Sequence, residues 1–246
     1  KKFTRNSGDQ NSMQIGILLA GDGLDKATIV SCVFRDNFVG MTTYMCADIK
    51  DCLFEHNEWT GLWYTSSRGA TISGNKFMHN CDRNVWCGVS ASAMWHTTNG
   101  VVEYNEFGET QNVGAAPDGE DLDFEAGCNN VTVRYNLFHD SAGPASMYYS
   151  GADNTSPNRD IFIHDNVFLT PAANPPSPYY NCVFLLSDQN TGAITNNRIF
   201  PRPGCPLIGG YTCPGVIRTG NLECPIETGE RGCNYATNAT VSVSSN

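Results

Sequence analysis

The 246-residue chain is poor in charge: Asp, Glu, Lys and Arg make up only 16% of it. It has five lysines, of which only Lys1 and Lys2 are adjacent, and a formal net charge of −10, with a sequence pI near 4.8. Nucleic-acid binding relies on clustered cations that displace counterions, so this composition argues against it. No apolar stretch reaches the roughly 18–20 residues that a membrane-spanning helix needs. No CxxC pair occurs, which removes the zinc ribbon. The start at Lys1 does not read as a signal peptide, so either one has been removed or more polypeptide is expected before it.

What the chain has is turn chemistry. There are 24 glycines and many Asn, Ser and Thr residues, against a 40% hydrophobic content. That mixture predicts an all-β chain with many short turns. Eleven cysteines are present, a high count that favours an oxidising, extracellular setting. The sequons at Asn130, Asn154 and Asn238 point the same way and are candidate glycosylation sites. Asn154 lies in the most loop-like of the three.

One pattern recurs along the sequence: an aliphatic residue, two positions, Asn, one position, Phe. It appears at Ile72–Phe77, Val102–Phe107, Val133–Phe138, Ile163–Phe168 and, with Ile last, Ile194–Ile199. Two earlier copies, Ile29–Phe34 and Ile49–Phe54, carry Cys32 and Cys52 in place of Asn. The last position recurs at intervals of 20, 23, 30, 31, 30 and 31 residues. A coil of three short strands and three turns needs about 20 residues, with longer coils carrying loop insertions. Each copy alternates apolar and polar residues and reads as a strand with one buried face. Stacking buries that face at ~4.8 Å per coil. The repeated Asn is then expected to form a ladder from coil to coil. Later strands are expected around Gly61–Tyr64, Val85–Met94, Leu122–Ala126, Ala145–Tyr149, Cys182–Leu186 and Leu207–Gly209.

On these residues the chain resembles the right-handed parallel β-helix repeat family, which includes pectate-lyase-like and glycosidase-like proteins. The resemblance implies an all-β solenoid of about eight coils over residues 1–223, with 224–246 a C-terminal disulfide loop and tail. The handedness follows from the general preference of parallel crossovers. Phe3-Thr-Arg-Asn6 matches Phe34-Arg-Asp-Asn37, so the N-terminal end is expected to be cut in mid-coil. Self-association or further polypeptide is expected to cover it. Cys32 and Cys52 hold equivalent places in adjacent coils, within disulfide range, with a reduced ladder as the alternative. Cys81–Cys87, Cys205–Cys213 and Cys224–Cys233 are candidate local pairs, leaving Cys46, Cys128 and Cys182.

Chemistry concentrates in one segment. Asp118 to Glu125 carries five acids in eight residues. With Leu122 and Phe124 in the core, Asp121, Asp123 and Glu125 share the opposite face. Carboxylates ~6.6–7 Å apart along a strand suit general acid and base or nucleophile work on a glycosidic bond. Crowding would raise one of their pKa values. Calcium held by the same three is the second reading, and a solvated acidic strand the third. No other cofactor is expected. A rough alignment of coils puts Trp63, Ser90, Asp123, Tyr148 and Leu185 in one outward column. Trp63 and Tyr148 would then stack on sugars either side of the acids. His139 and Asp140, in the next turn, come within reach of that face.

Asp121, Asp123, Glu125, His139 and Asp140 also resemble, loosely, a Gly-Asp-x-Asp-Phe-Glu strand followed by a His-Asp turn in glycosidase-like β-helix proteins. Other signatures are absent: the Asn-Thr-Asp and Gly-His-Gly of polygalacturonases, and the Asp-Pro-His of alginate epimerases. Arg134 and Arg159 fit no pectate-lyase motif. An acidic groove repels polyuronates and suits a neutral sugar better. The expectation is a secreted carbohydrate-active protein that hydrolyses or binds a polysaccharide, with glycoside hydrolase as the leading activity. The alternative is a structural or adhesive extracellular module such as a fibre, sheath or spike subunit.

Overall fold

A computed structural model describes residues 2–4, 15–21, 26–65, 68–82, 90–111, 119–143, 146–148, 156–170, 183–186, 190–201, 208–210 and 240–243. Among these residues every regular element is a strand. The strands form three parallel sheets of eight strands each, and the chain visits the sheets in a fixed cyclic order. We call them A, B and C in the order in which the chain first enters them. No helix among the described residues is long and apolar enough to cross a membrane.

The sequence repeat is reproduced in the register. Phe3, Phe34, Phe54, Phe77, Phe107, Phe138, Phe168 and Ile199 align as one column of sheet A. From Phe34 to Phe168 the rings stack face to face, with centroids 4.7–4.8 Å apart, which is the spacing of the strands themselves. The aliphatic positions Ile29, Ile49, Ile72, Val102, Val133, Ile163 and Ile194 align in sheet C. With Met41, Leu62, Met94, Leu122 and Phe124 of sheet B they fill one continuous core.

The repeat is two strands, not one. Its aliphatic end lies in sheet C and its Phe in sheet A, with a sharp corner between them. The corner is made by the residue before the Asn or Cys. Ser31, Asp51, Gly74, Tyr104, Tyr135, Asp165 and Asn196 all have φ between 52° and 66°. One left-handed residue turns the chain without breaking the coil-to-coil register.

The Asn at that corner forms the expected ladder. Asn105 Nδ2 donates to Asn136 Oδ1 at 3.0 Å and to Ile72 O at 2.8 Å. Its own Oδ1 accepts from the backbone N–H and Nδ2 of Asn75 at 2.9 and 3.0 Å. The amide thus meets its full hydrogen-bonding capacity inside the protein. The same links continue through Asn136, Asn166 and Asn197. A second ladder, Asn37–Asn57–Asn80, lines the corner from sheet A to sheet B.

The expected Cys32–Cys52 cross-link is not formed; both are free thiols. They occupy the top of the first ladder and act as its rungs. Cys52 Sγ donates to Lys50 O at 3.2 Å and accepts the Cys32 N–H at 3.5 Å, while the Cys52 N–H bonds Asn75 Oδ1 at 2.9 Å. Cys81 Sγ donates to Trp59 O at 3.3 Å. Cys87, Cys182, Cys205, Cys213, Cys224 and Cys233 lie outside the described residues. From the C-terminal tail, Thr240–Val243 pairs with Thr191–Thr195 in sheet C.

Candidate functional site

The acidic strand, Glu120–Ala126, is in the middle of sheet B, between Ser90–Trp95 and Ser146–Tyr148. Leu122 and Phe124 point into the core and are fully buried. Asp121, Asp123 and Glu125 share the other face, as alternation requires. They do not form an open row: Asp121 is 1% exposed, Asp123 is 3% exposed and only Glu125 is half-buried. Periodicity fixes the side a residue faces, but not what covers that side. Glu120 is buried too, and its Oε2 accepts the Gly119 N–H at 3.0 Å.

Asp121 sits at the corner between sheets A and B, where the second ladder runs. In three coils the ladder position, three residues after the stacked Phe, is Asn37, Asn57 or Asn80. In the next two coils it is Thr110 and Ser141. Both hydroxyls reach the same carboxylate oxygen: Thr110 Oγ1 lies 2.6 Å and Ser141 Oγ 2.5 Å from Asp121 Oδ1. Burial pushes the Asp121 carboxyl up to about 7, against the pull of the Ser141 and Thr110 hydroxyls and of His139. Buried away from water, the charged form is disfavoured.

The same two coils are altered on the outer face of sheet A. There the column runs Arg35, Glu55, Met78, Gly108, His139, Leu169. The His139 ring lies over Gly108, where an added Cβ would be 2.5 Å from the ring Cε1 and Nε2. Only a glycine leaves room for it. His139 Nδ1 is 2.9 Å from Asp140 Oδ2, and Nε2 is 3.3 Å from Glu106 Oε1. Burial acts to lower the His139 pKa, but these two carboxylates outweigh it and raise it. His56 and His79 stand two residues after the stacked Phe, where His139 stands one, and belong to the neighbouring turn column with Asp36, Glu109 and Asp140, all at positive φ. His139 therefore holds a place in the fold that they do not share.

An aromatic cleft lies further up the same face of sheet B. It has a volume of about 450 Å³, and its walls include Phe38, Trp59, Trp63, Trp95 and His96. The rings form a connected strip: Phe38 to Trp59 at 5.7 Å, Trp59 to Trp63 at 4.8 Å, Trp63 to Trp95 at 6.0 Å and Trp95 to His96 at 5.8 Å. Trp63 is in register with Ala93, Asp123, Met147 and Leu185. So the expected column is right for Trp63, Asp123 and Leu185 and wrong at two places. Ser90 pairs with Glu120, and Tyr148 pairs with Phe124. The side chain of Tyr148 is outside the described residues. Trp63 stands two strands from Asp123, ~10 Å along the stack.

No group of three or more metal-ligating side chains occurs among the described residues; the calcium reading of Asp121, Asp123 and Glu125 gains no support there. Asn130 is exposed, with its Nδ2 2.7 Å from Asn99 Oδ1. Asn154 and Asn238 lie outside the described residues. The sequence reading missed Trp59, Trp95 and His96, whose convergence depends on coils of unequal length. It also missed Thr110 and Ser141, although the break in the Phe-x-x-Asn spacing was visible.

Comparison with solved structures finds similar folds at low identity. A DFA-IIIase from Arthrobacter chlorophenolicus, in complex with GF2, matches with a TM-score of 0.53 and 11% identity, over 76% of this chain and 43% of its own. The chain thus spans less than half of that protein. An alginate lyase from a Paenibacillus species matches with a TM-score of 0.51 and 8% identity, over 86% of this chain and 78% of its own. No curated protein sequence matches. The family described as the right handed beta helix region matches residues 2–168, and with the cyclic order of its three parallel sheets this places the chain in the right-handed β-helix family.

Proposed function

We propose that the chain is a glycoside hydrolase, or part of one, acting on a neutral polysaccharide along the outer face of sheet B. The reading rests on one juxtaposition. A buried carboxyl that titrates near neutrality, Asp121, shares a strand face with a second carboxyl, Asp123, in line with a strip of tryptophans. Glycosidic cleavage needs a group that still holds a proton at working pH and a second carboxylate that stabilises or attacks the sugar carbon. Asp121 fits the first role and Asp123 the second. Indole faces suit the apolar faces of sugar rings; Trp95, on the adjacent strand, and Trp63, two strands or ~10 Å up the stack with Trp59 against it, would hold the chain. Two proteins of similar fold carry the names of carbohydrate-active enzymes, in keeping with this role. The acidic character of the strand favours an uncharged sugar over a polyuronate.

Both carboxyls are covered, so a glycan that reaches them must displace part of that cover. An extracellular location belongs to the proposal. The exposed Asn130 sequon supports it, and the free Cys32 and Cys52 thiols do not. The test is release of reducing ends from a panel of neutral and uronic polysaccharides. Activity on a neutral member, lost by a factor of about 100 or more in Asp121→Asn and in Asp123→Asn, is the expected result. Full activity in Asp123→Asn, or neither cleavage nor binding of any glycan, would overturn the reading.

A further inference from the structure

The second ladder changes its chemistry in two adjacent coils, and both changes point at one atom. Where the ladder is amide, Asn57 Oδ1 accepts the Asn37 N–H at 3.2 Å and Asn80 Oδ1 accepts the Asn57 N–H at 3.3 Å. Ser141 Oγ keeps that structural duty, accepting the Thr110 N–H at 3.4 Å. It also has two acceptors for its single hydrogen: Asp121 Oδ1 at 2.5 Å and His139 O at 3.2 Å. Thr110 Oγ1, 2.6 Å from the same Oδ1, is fully buried with it.

We propose that Thr110 and Ser141 are positioning residues that let Asp121 gain and lose its proton in place, a deepening that rests on the reading of Asp121 as the acid. With Asp121 ionised, both hydroxyls donate to Oδ1. With Asp121 protonated, the carboxyl O–H donates to one hydroxyl oxygen. Ser141 then turns its hydrogen to His139 O. The one proton that Asp121 takes up or gives away is exchanged with water or substrate; the rest of the change is rotation of hydroxyl hydrogens, with no heavy atom moved. A carboxamide rung cannot do this, because its donor and acceptor ends are fixed. Among the described residues, the charged groups around Asp121 lie on its own strand and on the following coil. His139 and Asp140 face it from the following coil, Glu106 acts through His139, and Glu120 and Asp123 flank it on its own strand.

The hydroxyls stabilise the ionised form, so removing either raises the Asp121 midpoint. The size is about one pH unit per hydroxyl, the worth of one hydrogen bond to a charged group. The experiment is a carboxyl-carbon NMR titration of Asp121 in the wild type, Thr110→Val, Ser141→Ala and the conservative Ser141→Thr. The expected result is a midpoint near neutrality in the wild type, raised in the first two variants and restored in the third. Glycan turnover should show the same displacement in its pH profile. A wild-type midpoint in the ordinary carboxylate range would overturn the inference, whether or not the variants fold. So would an unmoved midpoint in folded Thr110→Val and Ser141→Ala. If the midpoints move as expected while Asp121→Asn leaves turnover intact, the hydroxyl pair stands and the assignment of Asp121 as the acid fails.

Discussion

Replacing Asp121 by Asn should stabilise the protein, and by an amount that depends on pH. Burial raises the folded carboxyl from its ordinary 3.8 to about 7. The folded state therefore holds a proton that the unfolded chain releases above pH 4. For an acid raised in this way, wild-type stability is greatest below 3.8 and declines as pH rises towards 7. A separation of about three pH units corresponds to about 4 kcal/mol, fully expressed above pH 7. Asn has the shape of the protonated acid and its Oδ1 still accepts from Thr110 and Ser141, but it has no proton to lose. The stability difference between Asp121→Asn and wild type should be near zero close to pH 3.5 and open to ~4 kcal/mol by pH 8. Urea denaturation followed by tryptophan fluorescence at a series of pH values reads it directly. A difference that stays constant with pH would refute the argument, since it would mean that Asp121 titrates alike in the folded and unfolded chain.

Three further outcomes follow from other parts of the fold. Asn105→Ala removes an amide that satisfies two neighbouring coils; it should cost about 3–5 kcal/mol in chemical denaturation, and a loss below ~1 kcal/mol would show that the ladder only fills space. Gly108→Ala would set a Cβ 2.5 Å from the His139 ring; it should displace the ring from Glu106 and Asp140 and lower the His139 midpoint, as NMR titration would show, and an unchanged midpoint would contradict the contact. Burial pushes the Cys128 thiol up to about 12; at pH 8 it should resist alkylation until the protein unfolds, and mass spectrometry that finds it labelled in the native state would refute its burial.

The solenoid was legible in the sequence because each coil repeats the same local problem. The Ile-x-x-Asn-x-Phe unit states an inward aliphatic residue, a satisfied corner amide and an inward aromatic, all fixed by short-range geometry. Stacking then had to place Ile over Ile, Asn over Asn and Phe over Phe. The state of Cys32 and Cys52 was not legible: their stacked positions suited a cross-link as well as a rung, and only the structure shows two free thiols held by the bonds of a rung. The side of Asp121, Asp123 and Glu125 was given by alternation. The register of sheet B was not. Its strands are joined by insertions of unequal length, so spacing alone could not show that Ala93 rather than Ser90 meets Trp63, or that Met147 rather than Tyr148 meets Asp123. Burial was beyond the sequence for a different reason. Whether a carboxyl on the outer face is wet or dry depends on groups distant in the chain, and only the assembled coils bring Thr110, Ser141 and His139 around Asp121. The sequence by itself determined the repeat, the core and the faces. The tertiary structure decided which acids are kept dry, because desolvation belongs to the packed coils and not to any one of them.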